Sequence, residues 1–131
     1  MSILGHGIDL VEISRISAML DEHGQRFLDR CFTPAEQSYK ADSRRRIEHL
    51  AARFAAKEAV LKAIGTGLTG GIAWTDIEVI STASGAPQLT LHASAKSAAA
   101  NLGIASWVLS LTHTDSLAMA SVIAFSNPSA P

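Results

Sequence analysis

Residues 43–64 predict one long helix, and the rest of this chain has to pack around it. At about 100° per residue, Leu50, Phe54, Leu61 and Ile64 fall on a single stripe. Gly65 and Gly67 stop the helix and begin a loop that runs through Gly70 and Gly71. Residues 3–13 carry Ile3, Leu4, Ile8, Leu10, Val11 and Ile13 and read as a strand buried on at least one face. Residues 76–80 alternate in polarity, and Gly85-Ala86-Pro87 turns them into a partner strand at 88–92. Two further strands are predicted at 104–111 and 117–125, linked by 112–116, with an alanine-rich helix at 94–102 before them. Ser14 is a plausible N-cap for a short helix carrying Ile16, Met19 and Leu20 that stops near Gly24, and 25–31 forms another turn or two. Thr33-Pro34-Ala35-Glu36 is a capping box with proline in the favoured first position, so capping explains Glu36. The order is strand, helices, hairpin, helix, hairpin, which argues an α+β fold with antiparallel pairing. One domain is expected over 1–125, with a tail at 126–131 that frays.

Composition narrows the function classes. The chain is 47% hydrophobic but only 5% aromatic, so its core is built largely from small side chains. Net charge is −1, and the pI of about 6.5 offers no global attraction to nucleic acid. Every arginine precedes residue 54, and beyond it the basic side chains are lysines. Cys31 stands alone, which excludes an intramolecular disulfide and a cysteine-rich zinc site. Neither a signal peptide nor an apolar run long enough to span a membrane is visible, so a cytoplasmic protein is expected.

Four charged residues sit where charge is out of place. Asp9 interrupts the apolar first strand. Asp is a poor strand former and, if buried, needs a cation or several donors; otherwise it ends the strand and faces water. Gly5 and Gly7 in that strand either mark a bulge or admit another backbone. Glu58 and Lys62 lie one turn apart at the edge of the helix stripe. That spacing is also the ordinary surface pair, worth a few tenths of a kcal/mol. With Asp9 it suits a site for Mg²⁺, which takes one or two carboxylates and completes its shell with phosphate and water. Lys62 would then stand beside the phosphate as a point charge. Lys57 projects inside the stripe and either snorkels outward or meets an anion.

Four blocks, read together, resemble the holo-acyl-carrier-protein synthases, the short class of 4′-phosphopantetheinyl transferases. They are Gly7-Ile8-Asp9-Leu10-Val11 with Ile13 and Arg15, Cys31 to Glu36, Ala52-Arg53-Phe54 through Lys57-Glu58-Ala59 and Lys62 to Gly65-Thr66-Gly67, and Ser110-Leu111-Thr112-His113. The specific part is Phe-x-x-Lys-Glu-Ala-x-x-Lys, with its aspartate strand about 50 residues upstream.

The resemblance implies a long helix packed on a small antiparallel sheet, a homotrimer, and active sites between neighbouring subunits. It implies transfer of the phosphopantetheine arm of coenzyme A to a serine of acyl carrier protein, with release of adenosine 3′,5′-bisphosphate. Asp9 and Glu58 match the family's Mg²⁺ ligands (Mn²⁺ is an alternative), and Lys62 matches its phosphate-contacting lysine. His113 matches a contact to the nucleotide's 3′-phosphate, with Arg45 or Arg53 beside it; a plain turn histidine is the other reading. Gly65 closes the coenzyme A contacts. Arg15, Met19, Arg26, Phe27 and Arg30 fall where the family docks its acidic carrier, and basic residues around apolar anchors fit a steered protein interface.

Two rivals remain at this stage. A magnesium nuclease uses similar residues, but usually with Glu and Lys two apart on a strand. A trimeric carrier-binding module would need no metal at all.

Overall fold

The computed structural model describes residues 1–128. Its elements are β1 (Ile3–Glu12), α1 (Ile13–His23), α2 (Gln25–Cys31), α3 (Pro34–Ser38), α4 (Arg46–Ile64), a 3₁₀ turn (Trp74–Asp76), β2 (Ile77–Ser81), β3 (Pro87–Leu91), α5 (Ala93–Asn101), β4 (Ile104–His113) and β5 (Leu117–Ser126). The α+β order matches the expectation element for element. The strands divide into a three-stranded antiparallel sheet ordered β1-β5-β4 and a separate β2-β3 hairpin.

Central strand β5 alternates strictly. Ala118, Ala120, Val122 and Ala124 face inward and are buried, while Leu117, Met119, Ser121 and Ile123 on the other face are half-exposed. Small inward side chains let α4 lie close to the sheet. The contact is tightest at β1. A Cβ on Gly7 would fall 1.8 Å from the Ala59 carbonyl oxygen, and one on Gly5 would fall 2.6 Å from that of Ala63. Only glycine permits strand and helix backbones to touch there, so the two glycines serve close approach. The register shift between Ile3 and Gly5 is also present.

Several details differ from the sequence reading. Helix α1 begins at Ile13, with Glu12 in the N-cap position and no side-chain cap, so Ser14 lies inside the helix. The reason is tertiary: Ile13 N donates to Ser116 O at 2.9 Å, and the chain turns straight from β1 into α1. Helix α4 starts at Arg46 and not near residue 43, because Ser43 is spent in turns: its N bonds Lys40 O at 2.9 Å and its Oγ accepts from Arg45 N at 3.0 Å. That helix is also buried on nearly every side, its alanines included, where the pattern predicted one stripe. Strand β5 extends to Ser126, whose N bonds Ser2 O at 2.8 Å, so the first residue of the expected tail is tied into the sheet. Residues 129–131 of that tail lie outside the described residues.

Among the described residues, no helix covers one face of the three-stranded sheet. Leu4, Ile8 and Leu10 of β1 and Val108 of β4 are exposed there, beside half-exposed Met119 and Ile123 of β5.

Candidate active site

The glycine contacts carry Asp9 to the flank of α4. Its Oδ1 accepts from Lys62 Nζ at 3.0 Å, and the same ammonium donates to Ile8 O at 2.9 Å. Asp9's side chain is only 15% exposed and that of Lys62 55%, so the acid is fixed and the base sits on the rim. Glu58 lies in the same electrostatic neighbourhood. Burial pushes its carboxyl above the usual value, and the charge of Asp9 pushes it further, while Lys62 and Arg15 pull it down. A carboxylate whose proton affinity is raised by a second carboxylate beside it marks a site short of positive charge. A cavity of about 360 Å³ opens beside them, lined by Glu58, Leu61, Lys62, Gly65 and Gly67. Gly65 is the left-handed cap of α4 at φ 88°.

The donor set fits Mg²⁺. It is oxygen-only on the protein side, anionic, and open to solvent for phosphate and water. No group of three or more His, Cys, Asp or Glu side chains gathers among the described residues, so a metal that demands a full protein cage is not served.

All five predicted docking residues line one pocket. Arg15, Met19, Arg26, Phe27 and Arg30 surround a volume of about 280 Å³ whose walls include Ile16, Phe54 and Trp74. The three arginines are exposed and the floor is apolar. Arg15 is shared between the two places: it lines this pocket and its charge reaches Glu58. Trp74 and His23 were not singled out by sequence, since neither belongs to a periodic pattern.

The remaining candidates gather around the first half of α4. His113 ends β4 and is exposed. Its charge, after burial and the charges of Arg53 and Lys40, helps hold the His49 imidazole below its ordinary pKa. Arg53 is buried, with its guanidinium 4.1 Å over the Tyr39 ring and an N–H donating to Ser81 Oγ at 3.2 Å; its Nε has no hydrogen-bond partner among the described residues. Arg45 is exposed. His49 and Glu58 are nine residues apart, or about 13 Å along the helix axis. Within one chain, then, the His113 group gathers towards the start of α4 and the Asp9–Glu58 group lies further along the same helix.

Lys57 meets an anion, the second of its two readings. Glu36 both caps α3 and accepts from Lys57 Nζ at 2.8 Å, so capping accounts for only part of its role.

The relatives of this chain identify its family. Residues 5–120 match the family model of the 4′-phosphopantetheinyl transferase superfamily. The chain is 48% identical over 121 residues to a holo-[acyl-carrier-protein] synthase of Koribacter versatilis, covering 92% of this chain and 97% of that protein. Its fold is similar to the crystal structure of the Neisseria meningitidis holo-[acyl-carrier-protein] synthase, with TM-score 0.86, 32% identity, and 95% and 99% of the two chains covered. It is also similar to the Bacillus anthracis holo-(acyl-carrier-protein) synthase solved in complex with CoA (3′,5′-ADP), with TM-score 0.79, 35% identity, and 95% and 98% covered. The chain belongs to the 4′-phosphopantetheinyl transferase superfamily, within its holo-acyl-carrier-protein synthases.

Proposed function

We propose that this protein transfers the 4′-phosphopantetheine arm of coenzyme A to a serine of apo-acyl carrier protein and releases adenosine 3′,5′-bisphosphate. The observation that carries this reading is the paired carboxylates Asp9 and Glu58 beside Lys62, next to an arginine-rimmed apolar pocket. One place suits a pyrophosphate and the other an acidic protein, and Arg15 belongs to both.

In the reaction, the carrier's serine oxygen forms a bond to the β-phosphorus of coenzyme A as the bridging P–O bond to the α-phosphate breaks. Such transfers depend mostly on positioning and on neutralising charge. Asp9 and Glu58 would hold Mg²⁺, which supplies Lewis acidity at pyrophosphate oxygens when bound. Lys62 swings on its exposed stem from Asp9 to the leaving phosphate, where its ammonium offsets developing charge. The serine's proton is taken by Glu58 or by water. Arg26, Arg30 and Arg15 steer an acidic carrier, and Met19 and Phe27 receive its apolar anchor. His113, with Arg53 or Arg45, serves the nucleotide's 3′-phosphate from a neighbouring subunit of a homotrimer, and the bare face of the β1-β5-β4 sheet is the surface that assembles it. No described helix is long and apolar enough to cross a membrane. The buried, unpaired Cys31 suits a reducing compartment, so the cytoplasm is our assignment, with no role in nucleic-acid binding.

Release of adenosine 3′,5′-bisphosphate tests the reading. It should require coenzyme A, apo-carrier and a divalent cation together. Release without carrier would make the protein a coenzyme A hydrolase instead.

A further inference from the structure

Lys57 and Glu36 are almost wholly shielded from solvent, at 0% and 2% exposure, and neither lines the cavity beside Asp9 or the arginine-rimmed pocket. Their bonding is complete. Lys57 Nζ donates to Glu36 Oε1 at 2.8 Å, to Trp74 O at 3.1 Å and to Ile77 O. Glu36 accepts from Thr33 N and from Val79 N, each at 2.9 Å. A buried ion pair of this kind is weak evidence for stability, since apolar replacements often do as well. What it does here is specific. Asp76 closes the start of the 3₁₀ turn by accepting from Ala73 N at 3.2 Å, while the carbonyls of Trp74 and Ile77 bracket the turn and both converge on one ammonium.

That turn presents the Trp74 ring to the pocket. The ring lies on Phe54, 4.9 Å between centroids, and both side chains form one wall. A second part of the lining is tied to the same lysine. Phe32 lies 5.7 Å from Nζ, and Phe27, which lines the pocket, packs edge-on to Phe32 at 5.8 Å. We infer that Lys57 is a positioning residue for carrier docking: its ammonium clamps the backbone of Trp74 and so sets the shape of the pocket that takes the carrier's apolar anchor. The inference rests on the docking role proposed above for that pocket.

The test uses the full chain with Trp107→Phe, which leaves Trp74 as the sole indole. Into it go Glu36→Gln and Lys57→Met together, so that neither member of the ion pair is left charged without the other. The two carbonyls lose their donor while far-UV circular dichroism checks the fold. Emission from Trp74 should move to the red and become more open to acrylamide. The KM for carrier should rise about tenfold, equivalent to about 1.4 kcal/mol, with KM for coenzyme A and kcat within about twofold. Added to Trp74→Ala, the same pair of changes should raise the carrier KM no further, because coupled residues are not additive. Unchanged Trp74 emission, or equal rises in both KM values, overturns the clamp. If the double change fails to fold, Lys57→Arg keeps the charge but replaces a compact three-donor head with a planar fork, and the same readouts decide. If the Trp107→Phe parent transfers nothing to any carrier, the docking reading has failed by itself. The Trp74 emission still judges the clamp: a red shift supports it and an unchanged spectrum overturns it.

Discussion

Glu58 is the residue on which binding and stability pull in opposite directions. Its carboxyl is raised first by burial and then by the charge of Asp9. A carboxyl whose folded pKa lies above its unfolded value favours the folded state when protonated, and that advantage is lost as pH rises through the folded pKa. At neutral pH the ionised group is therefore a small cost to the metal-free fold, discounted because Glu58 is partly exposed. Glu58→Gln should raise the metal-free melting temperature slightly while lowering transfer at least about 100-fold, the scale of removing one charge-stabilising contact. Differential scanning fluorimetry and a transfer assay check the two halves, and a clear fall in melting temperature would contradict the first. Cation binding should weaken on acidification as Glu58 takes up its proton. Among the docking arginines, Arg26 is a cleaner probe than Arg15, whose charge also reaches Glu58. Arg26→Glu should raise the carrier KM several-fold and leave that of coenzyme A unchanged; equal effects would remove the docking face. Asp9 and Glu58 were legible in the sequence because each is a charge set in an apolar pattern. The pairing of Glu36 with Lys57 was not, since a capping box already explained Glu36 and no local signal points across 21 residues to its partner.

At the scale of elements, the β1–α4 contact makes the site. Gly7→Ala would place a methyl group inside the Ala59 carbonyl. Backbone cannot step aside as a side chain can, so the strand must move off the helix. The expected cost is about 3 kcal/mol or more, at the upper end of overpacking, and Asp9 moves with the strand. Chemical denaturation measures it, and a change below about 1 kcal/mol would mean the strand is not held against the helix. The strands, the capping box at Thr33 and the end of α4 at Gly65 were readable because each has a local chemical signature. The start of α1 was not. Ile13 begins that helix through a bond to Ser116, which no window around Ile13 contains. The burial of α4 on nearly all sides was hidden for a related reason: alanine is weakly apolar and sits equally well on either face.

For the whole molecule, the uncovered sheet face and the separation of His113 from Glu58 point the same way. A lone chain leaves Ile8, Leu10 and Val108 in water and leaves His113 grouped with His49, about two and a half turns of α4 from Glu58. Association through that face would cover the first and supply the second from a neighbour. Cyclic trimers are less common than dimers, so the number three comes from the family and not from this surface. Val108 is 55% exposed, so Val108→Lys should cost the monomer little yet break the assembly and the activity together. Analytical ultracentrifugation at micromolar concentration reads this directly. A wild-type monomer, or an active Val108→Lys monomer, would refute the shared site. The sequence could suggest excess apolar residues in β4 and β5, but which of them face outward depends on a register that only the paired strands display.

The central claim is chemical, and mass spectrometry of the carrier tests it most directly. Apo-acyl carrier protein incubated with this protein, coenzyme A and Mg²⁺ should gain the mass of one phosphopantetheine arm at its serine, and Asp9→Asn should nearly abolish the gain. A carrier whose mass stays unchanged with the wild-type protein, while binding to it persists, would contradict the account and leave a docking module in place of a transferase.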